Sequence, residues 1–193
     1  MKNIIRIILP IFIAYFFIGC SQKIEFNKDY VERDLKVNLK KVKSEEVDIL
    51  KKQNLYLKKH PNSFRAKATT LDINLTSVNE NVLKEFFSQY FDYVSLTDEH
   101  TSNLYVDSQF YDYEYEYGFS DGNEVEVFVD VKVFYKDKKI LDKKYSIKNE
   151  ITALTLNLTI FPLVEENFHK TLLKLYETKL KPDLIKALSE NIN

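Results

Sequence analysis

The sequence predicts an α+β domain: an antiparallel sheet of about four to five strands with two main helices packed on one face. Three observations carry this expectation. Val125, Val127, Val129, Val131 and Val133 repeat with a period of two, the mark of a strand with one buried face. Val78, Val82, Leu83, Phe86, Phe87, Tyr90 and Phe91 recur at 3.6-residue spacing and trace one face of a helix. Phe161, Val164, Phe168, Leu172 and Leu175 trace a second stripe, with Lys179 at its edge. The 14 Phe and 13 Tyr are enough to fill a core between such layers.

The N-terminal stretch reads as an export signal rather than as part of the domain. Lys2 and Arg6 make a positive start, and Ile7 to Ile18 carries no charge. Crossing the hydrocarbon core takes about 20 apolar residues, more than this run supplies. It ends at Phe17-Ile18-Gly19-Cys20, and Cys20 is the single cysteine of the chain. This ending resembles the lipobox of bacterial lipoproteins. The resemblance implies a signal peptide over residues 1–19, cleavage between Gly19 and Cys20, and acylation of Cys20. Two or more acyl chains hold a protein on a bilayer far more firmly than one. By the enterobacterial sorting pattern, Ser21 in place of Asp implies the outer membrane, with the domain on its periplasmic face.

Cleavage there removes two basic residues and no acidic one, taking the net charge from −1 to −3. That balance gives no electrostatic case for nucleic acid. An acylated Cys20 leaves no thiol for an internal disulfide. The polar, mixed-charge residues 20–33 read as a lipidated tether, and residues 34–193 as one domain.

Leu35, Val37 and Leu39 alternate like a strand. Ser44 to Leu57 is ambiguous between helix and strand, and His60-Pro61-Asn62-Ser63 signals a turn. From Phe64 to Leu75 the apolar parity switches near Thr69-Thr70, which suggests a bulge or bend. Ser77-Val78-Asn79-Glu80 has the form of a capping box opening a helix to Val94. After a polar break at Thr97 to Ser102, Tyr111, Tyr113, Tyr115 and Tyr117 fall on one face of a strand, with Asp112, Glu114 and Glu116 on the other. Gly118 to Asn123 turns the chain into the valine strand, and Lys139 to Ile151 returns from it.

Charge predicts the register of that last hairpin. With Tyr135 opposite Lys139, Lys132 meets Asp142, Asp130 meets Lys144 and Glu126 meets Lys148. A slip of one residue would turn Asp142, Lys144, Ser146 and Lys148 among the valines. Lys143 falls opposite Val131 and has to snorkel outward. Thr155 to Thr159 is a short strand or a loop. Pro162 suits a first helical turn, Pro182 ends or kinks that helix, and Leu184, Ile185 and Leu188 mark a short closing helix.

Chemistry is sparse. His60, His100 and His169 are far apart and lack metal-ligand spacing, so no metal site and no cofactor are predicted. Three glycines cannot supply a phosphate loop, and no nucleophile motif is present. Residues 101–131 hold eight acids and no Lys or Arg. Their spacing is strand alternation, which reads first as a solvated sheet face and second as a docking surface for a basic partner. Asp112, Glu114, Glu116 and Glu126 are the candidate interaction residues.

The element order over residues 63–190 resembles small outer-membrane lipoproteins of the YajG and LptE kind. That resemblance implies a compact, lipid-anchored α+β domain. The LptE kind contacts lipopolysaccharide through basic residues, and the acid-rich strands here do not match that pattern, so no site residue carries over. The sequence therefore points to a non-catalytic envelope lipoprotein, held to the membrane by its lipid and serving an outer-membrane protein partner as accessory or scaffold. A carrier for a hydrophobic or glycan ligand is the alternative. An apolar cavity under the first helix favours the carrier, a filled core favours the scaffold, and buried convergent polar groups would be needed for an enzyme.

Overall fold

The computed structural model describes residues 21–24, 43–60, 70–117, 123–151 and 160–191. In chain order these form β1 (Ser21–Ile24), β2 (Lys43–Leu50), β3 (Tyr56–Lys59), β4 (Thr70–Asn74), α1 (Leu75–Ser88), β5 (Phe91–Thr97), β6 (Leu104–Tyr117), β7 (Asn123–Tyr135), β8 (Lys138–Ile151), α2 (Ile160–Leu175), a π-helical turn (Tyr176–Leu180) and α3 (Lys181–Asn191). The fold is α+β. The lipobox-like Phe17-Ile18-Gly19-Cys20 stretch, the Leu35–Leu39 alternation, Pro61 to Thr69, the Gly118 to Gly122 turn and Thr155 to Thr159 lie outside the described residues.

The expectation of one antiparallel sheet is corrected. Five strands run in the order β5-β2-β6-β7-β8, and three more in the order β1-β4-β3. β2 is parallel to both β5 and β6, while β6, β7 and β8 are antiparallel. In the small sheet β1 is parallel to β4 and β3 antiparallel to it. The sequence reading ran the first helix on to Val94 and so missed β5; a parallel connection moreover ordinarily takes a dozen or more residues, and the gap between β5 and β6 is far shorter. Here the gap only has to step across β2. Asp48 of β2 is the staple. Its carboxylate accepts the backbone N–H of Thr101 at 2.7 Å, that of Ser102 at 2.9 Å, and the hydroxyl of Ser95. Burial alone would push this carboxyl up; those donors outweigh it and hold it at about 2.

Ser21–Ile24, inside the stretch read as tether, pairs with β4 in the register Ser21↔Thr70 to Ile24↔Ile73. The first helix also begins and ends earlier than expected. Asn74, not Ser77, is its N-cap, accepting the Ser77 N–H at 3.1 Å. Glu80 accepts the Lys52 N–H instead of closing a capping box. The helix stops at Ser88, and Phe91 opens β5.

The β7–β8 register matches the charge argument from Val133↔Leu141 through Glu126↔Lys148. The turn differs: Tyr135 faces Lys138, Ile140 is an extra residue, and Lys136 and Asp137 carry the positive φ angles of 50° and 62° typical of a two-residue hairpin turn. Lys143 does turn outward, and its ammonium donates to Asp183 of α3 at 2.8 Å. A bulge at Tyr111 flips the parity of β6. Tyr113 and Tyr115 point into the core, whereas Tyr111 is 37% exposed on the other side.

One core joins these elements. Val78, Val82, Leu83, Phe86 and Phe87 of α1 and Phe168, Leu172 and Leu175 of α2 are fully buried, together with the five valines of β7. The Phe168 ring lies 5.1 Å from Tyr113, 6.0 Å from Tyr115 and 6.3 Å from Phe110. Pro182 does not end the last helical run, which continues to Asn191. The turn before it widens, so that the Lys181 N–H reaches the Tyr176 carbonyl five residues back. A wider turn relieves the clash between a proline ring and the preceding turn.

Candidate interaction face

The side of the large sheet away from the core is built by the alternate residues of β6, β7 and β8. At the far end of β6 it carries two rows of carboxylates. Glu114 stands directly opposite Glu126, and Glu116 directly opposite Glu124. Across the next strand Glu124 faces Glu150, and Glu126 faces Lys148. Like charges set directly opposite one another destabilise a sheet. Lys148 is the one cation in these registers. Its ammonium lies 2.5 Å from Glu124, and that bond, with the surrounding field of Glu116 and Glu126, raises its pKa against a smaller desolvation effect. Glu114 and Glu116 are exposed.

Three of the four predicted interaction residues, Glu114, Glu116 and Glu126, come together here. Asp112 does not join them. At the bulge it is taken by Lys59 of β3, whose ammonium also donates to the Tyr113 carbonyl at 3.0 Å. Glu124 and Glu150 were missed. The signal was present, because the register that set Glu126 against Lys148 also sets Glu124 against Glu150. Cys20 and Gly19 lie outside the described residues.

The other end of the same face is aromatic. His100 stacks on Tyr105 at 3.7 Å between ring centroids, and Tyr105 stacks on Phe134 at 4.7 Å. Between the two ends, Tyr111 lies 6.3 Å from Phe128, with the Lys144 ammonium 5.6 Å above the Tyr111 ring. The face thus passes from an aromatic end, under the crossover loop, to an anionic end.

Polar groups also meet inside the core, which the sequence did not signal. Tyr176 donates to Asn79, and the Asn79 amide donates to Ser108 at 3.1 Å. His169 of α2 lies 2.6 Å from Glu85 of α1. All five side chains are buried. Burial raises the pKa of the Tyr176 hydroxyl. Closed off from solvent, these groups tie α1 to β6 and to the second helical run. His60 follows β3 and His100 belongs to the aromatic stack, so the three histidines are placed in three separate settings. Among the described residues no helix is long and apolar enough to cross a membrane.

No protein-family model matches the chain, and no curated protein matches it. Among solved structures, the crystal structure of protein XCC0632 from Xanthomonas campestris, assigned to DUF330, superposes with a TM-score of 0.53 at 9% identity. The match covers 90% of this chain and 99% of that one. The structure of the hypothetical protein CT253 from Chlamydia trachomatis gives a TM-score of 0.41 at 11% identity, over 78% of this chain and 100% of that one. The first likeness is one of fold.

Proposed function

We propose that this chain is a non-catalytic lipoprotein of the bacterial outer membrane, anchored on the periplasmic face through Cys20, and that it acts as an accessory or scaffold in an envelope assembly. Its two main helices pack on one face of the large sheet, and the other face docks the partner. The observation that carries this reading is the contrast between those faces. On the core side, the Phe168 ring packs against Phe110, Tyr113 and Tyr115, which supports a filled core over a carrier's cavity. On the open side, carboxylates oppose one another at a cost to the sheet. A basic partner segment would offset that cost on binding.

The test is site-specific photo-crosslinking in intact cells, from position 116 on the carboxylate face and from position 185, where Ile185 is 50% exposed on α3. The expected result is one discrete membrane-protein adduct from position 116, none from 185, and loss of the adduct in Cys20→Ala. An adduct pattern that is the same at both positions, or unaltered by Cys20→Ala, would overturn the reading.

A further inference from the structure

We infer that the small sheet is the membrane-facing surface of the domain, held against the lipid headgroups rather than suspended on a tether. The inference rests on the lipoprotein reading and extends it from an anchor to an orientation. Strand β1 begins at Ser21, the residue that follows Cys20, and Ser21 is already paired with Thr70. Adjacent Cα atoms are about 3.8 Å apart, so an acyl group on the residue before Ser21 would be attached within one residue of the sheet. A flexible coil over residues 20–33 would instead have given roughly 20 Å of reach.

The orientation passes on to the whole domain because the small sheet is clamped to the large one. The Tyr113 hydroxyl lies 3.1 Å from both the Leu57 and the Leu71 carbonyls, and Lys59 is bonded to Asp112 and to the Tyr113 carbonyl. The chemistry of the small sheet suits a headgroup layer. Leu71 and Ile73 turn into the core. On the alternate positions Tyr56 is 39% exposed and Lys58 is exposed. Asp72 sits in register between Lys58 on β3 and Lys23 on β1. An exposed lysine and an exposed tyrosine on this face, Lys58 and Tyr56, match the amphipathic, anionic surface of a bilayer.

The experiment uses the full chain in its own membrane. Once Cys20 is acylated, an introduced cysteine is the only free thiol, so Lys58→Cys and Asp137→Cys are each labelled with a water-soluble maleimide. Asp137 lies in the β7–β8 turn, its side chain 81% exposed. Acylation is read from the mass of the N-terminal peptide. The expected result is Lys58→Cys labelling about tenfold slower in membranes than in detergent, with Asp137→Cys equal in both. A 14-residue Gly-Ser spacer between Cys20 and Ser21 should erase the difference. Equal labelling of Lys58→Cys in both media, with Cys20 acylated, would overturn the orientation and leave the anchor standing. An unacylated Cys20 would overturn the lipoprotein reading itself, and the orientation with it.

Discussion

Glu114 stands directly opposite Glu126 across the β6–β7 pair, with both carboxylates on the face away from the core. The pair is repulsive, so relieving it should stabilise the domain. Glu114→Lys is expected to gain about 0.5 kcal/mol in urea unfolding. Raising the salt concentration should narrow the gap between variant and wild type, because screening weakens the repulsion. An equal gap at all salt concentrations would mean that the carboxylates do not interact.

Asp48 gives a signed pH dependence. Its folded pKa of about 2 lies below the ordinary 3.8, so its contribution is fully present above about pH 5 and is lost as the pH falls towards 2. That contribution is at most about 2 kcal/mol. Asp48→Asn should therefore be less stable than wild type at neutral pH, with the difference shrinking between pH 5 and pH 2. Chemical unfolding at several pH values tests this. A constant difference would show that Asp48 is not held as a carboxylate by the crossover loop.

Tyr176→Phe removes one hydroxyl from a fully buried network and leaves the Asn79 acceptor without its donor. The cost should be about 1–3 kcal/mol, larger than the loss of an exposed hydrogen bond. Pairing it with Asn79→Leu in a double-mutant cycle should show strong coupling between the two positions.

The β7–β8 turn can be improved. Lys136 and Asp137 both hold positive φ, which costs side-chain-bearing residues energy that asparagine and glycine avoid. The double change Lys136→Asn and Asp137→Gly should add about 1 kcal/mol. The Lys136 N–H bond to the Asn103 carbonyl is a backbone contact and should survive.

Phe168→Ala should be the most damaging of these changes, at about 3–5 kcal/mol, because the ring joins α2 to three aromatics of β6. Thermal unfolding by circular dichroism is the readout.

What was legible in the sequence was periodic and local. The valine strand, the helix stripes and most of the β7–β8 register follow from alternation and charge, and those signals survive folding because they are what folding buries. What was illegible depended on partners distant in the chain. Nothing near Thr97 to Ser102 announces that β2 will lie beneath it, since Asp48 is an ordinary acid until the sheet surrounds it. The bulge at Tyr111 inserts into an unbroken Tyr-acid alternation, so parity alone assigned Tyr111 to the wrong face; Asp112 keeps the register of the glutamates, but its carboxylate pairs with Lys59. Of the candidate face, the placement of Glu114, Glu116 and Glu126 on the side away from the core follows from alternation. The full patch needed the third strand. The buried Asn79, Ser108 and Tyr176 network left no trace, because each residue is unremarkable in its own segment.

The seat of β2 between β5 and β6 also governs the order in which the chain can assemble. β6, β7 and β8 are joined by successive antiparallel pairings and can zip together locally. β2 cannot: both of its neighbours come later in the chain, beyond the whole of α1. A chain that emerges from its N-terminus therefore carries Val47 and Ile49 unsheltered until β5 and β6 arrive, and the two must close on it from either side. Such long-range pairing is slow. While the chain folds, that exposed strand is the segment a chaperone would have most reason to hold.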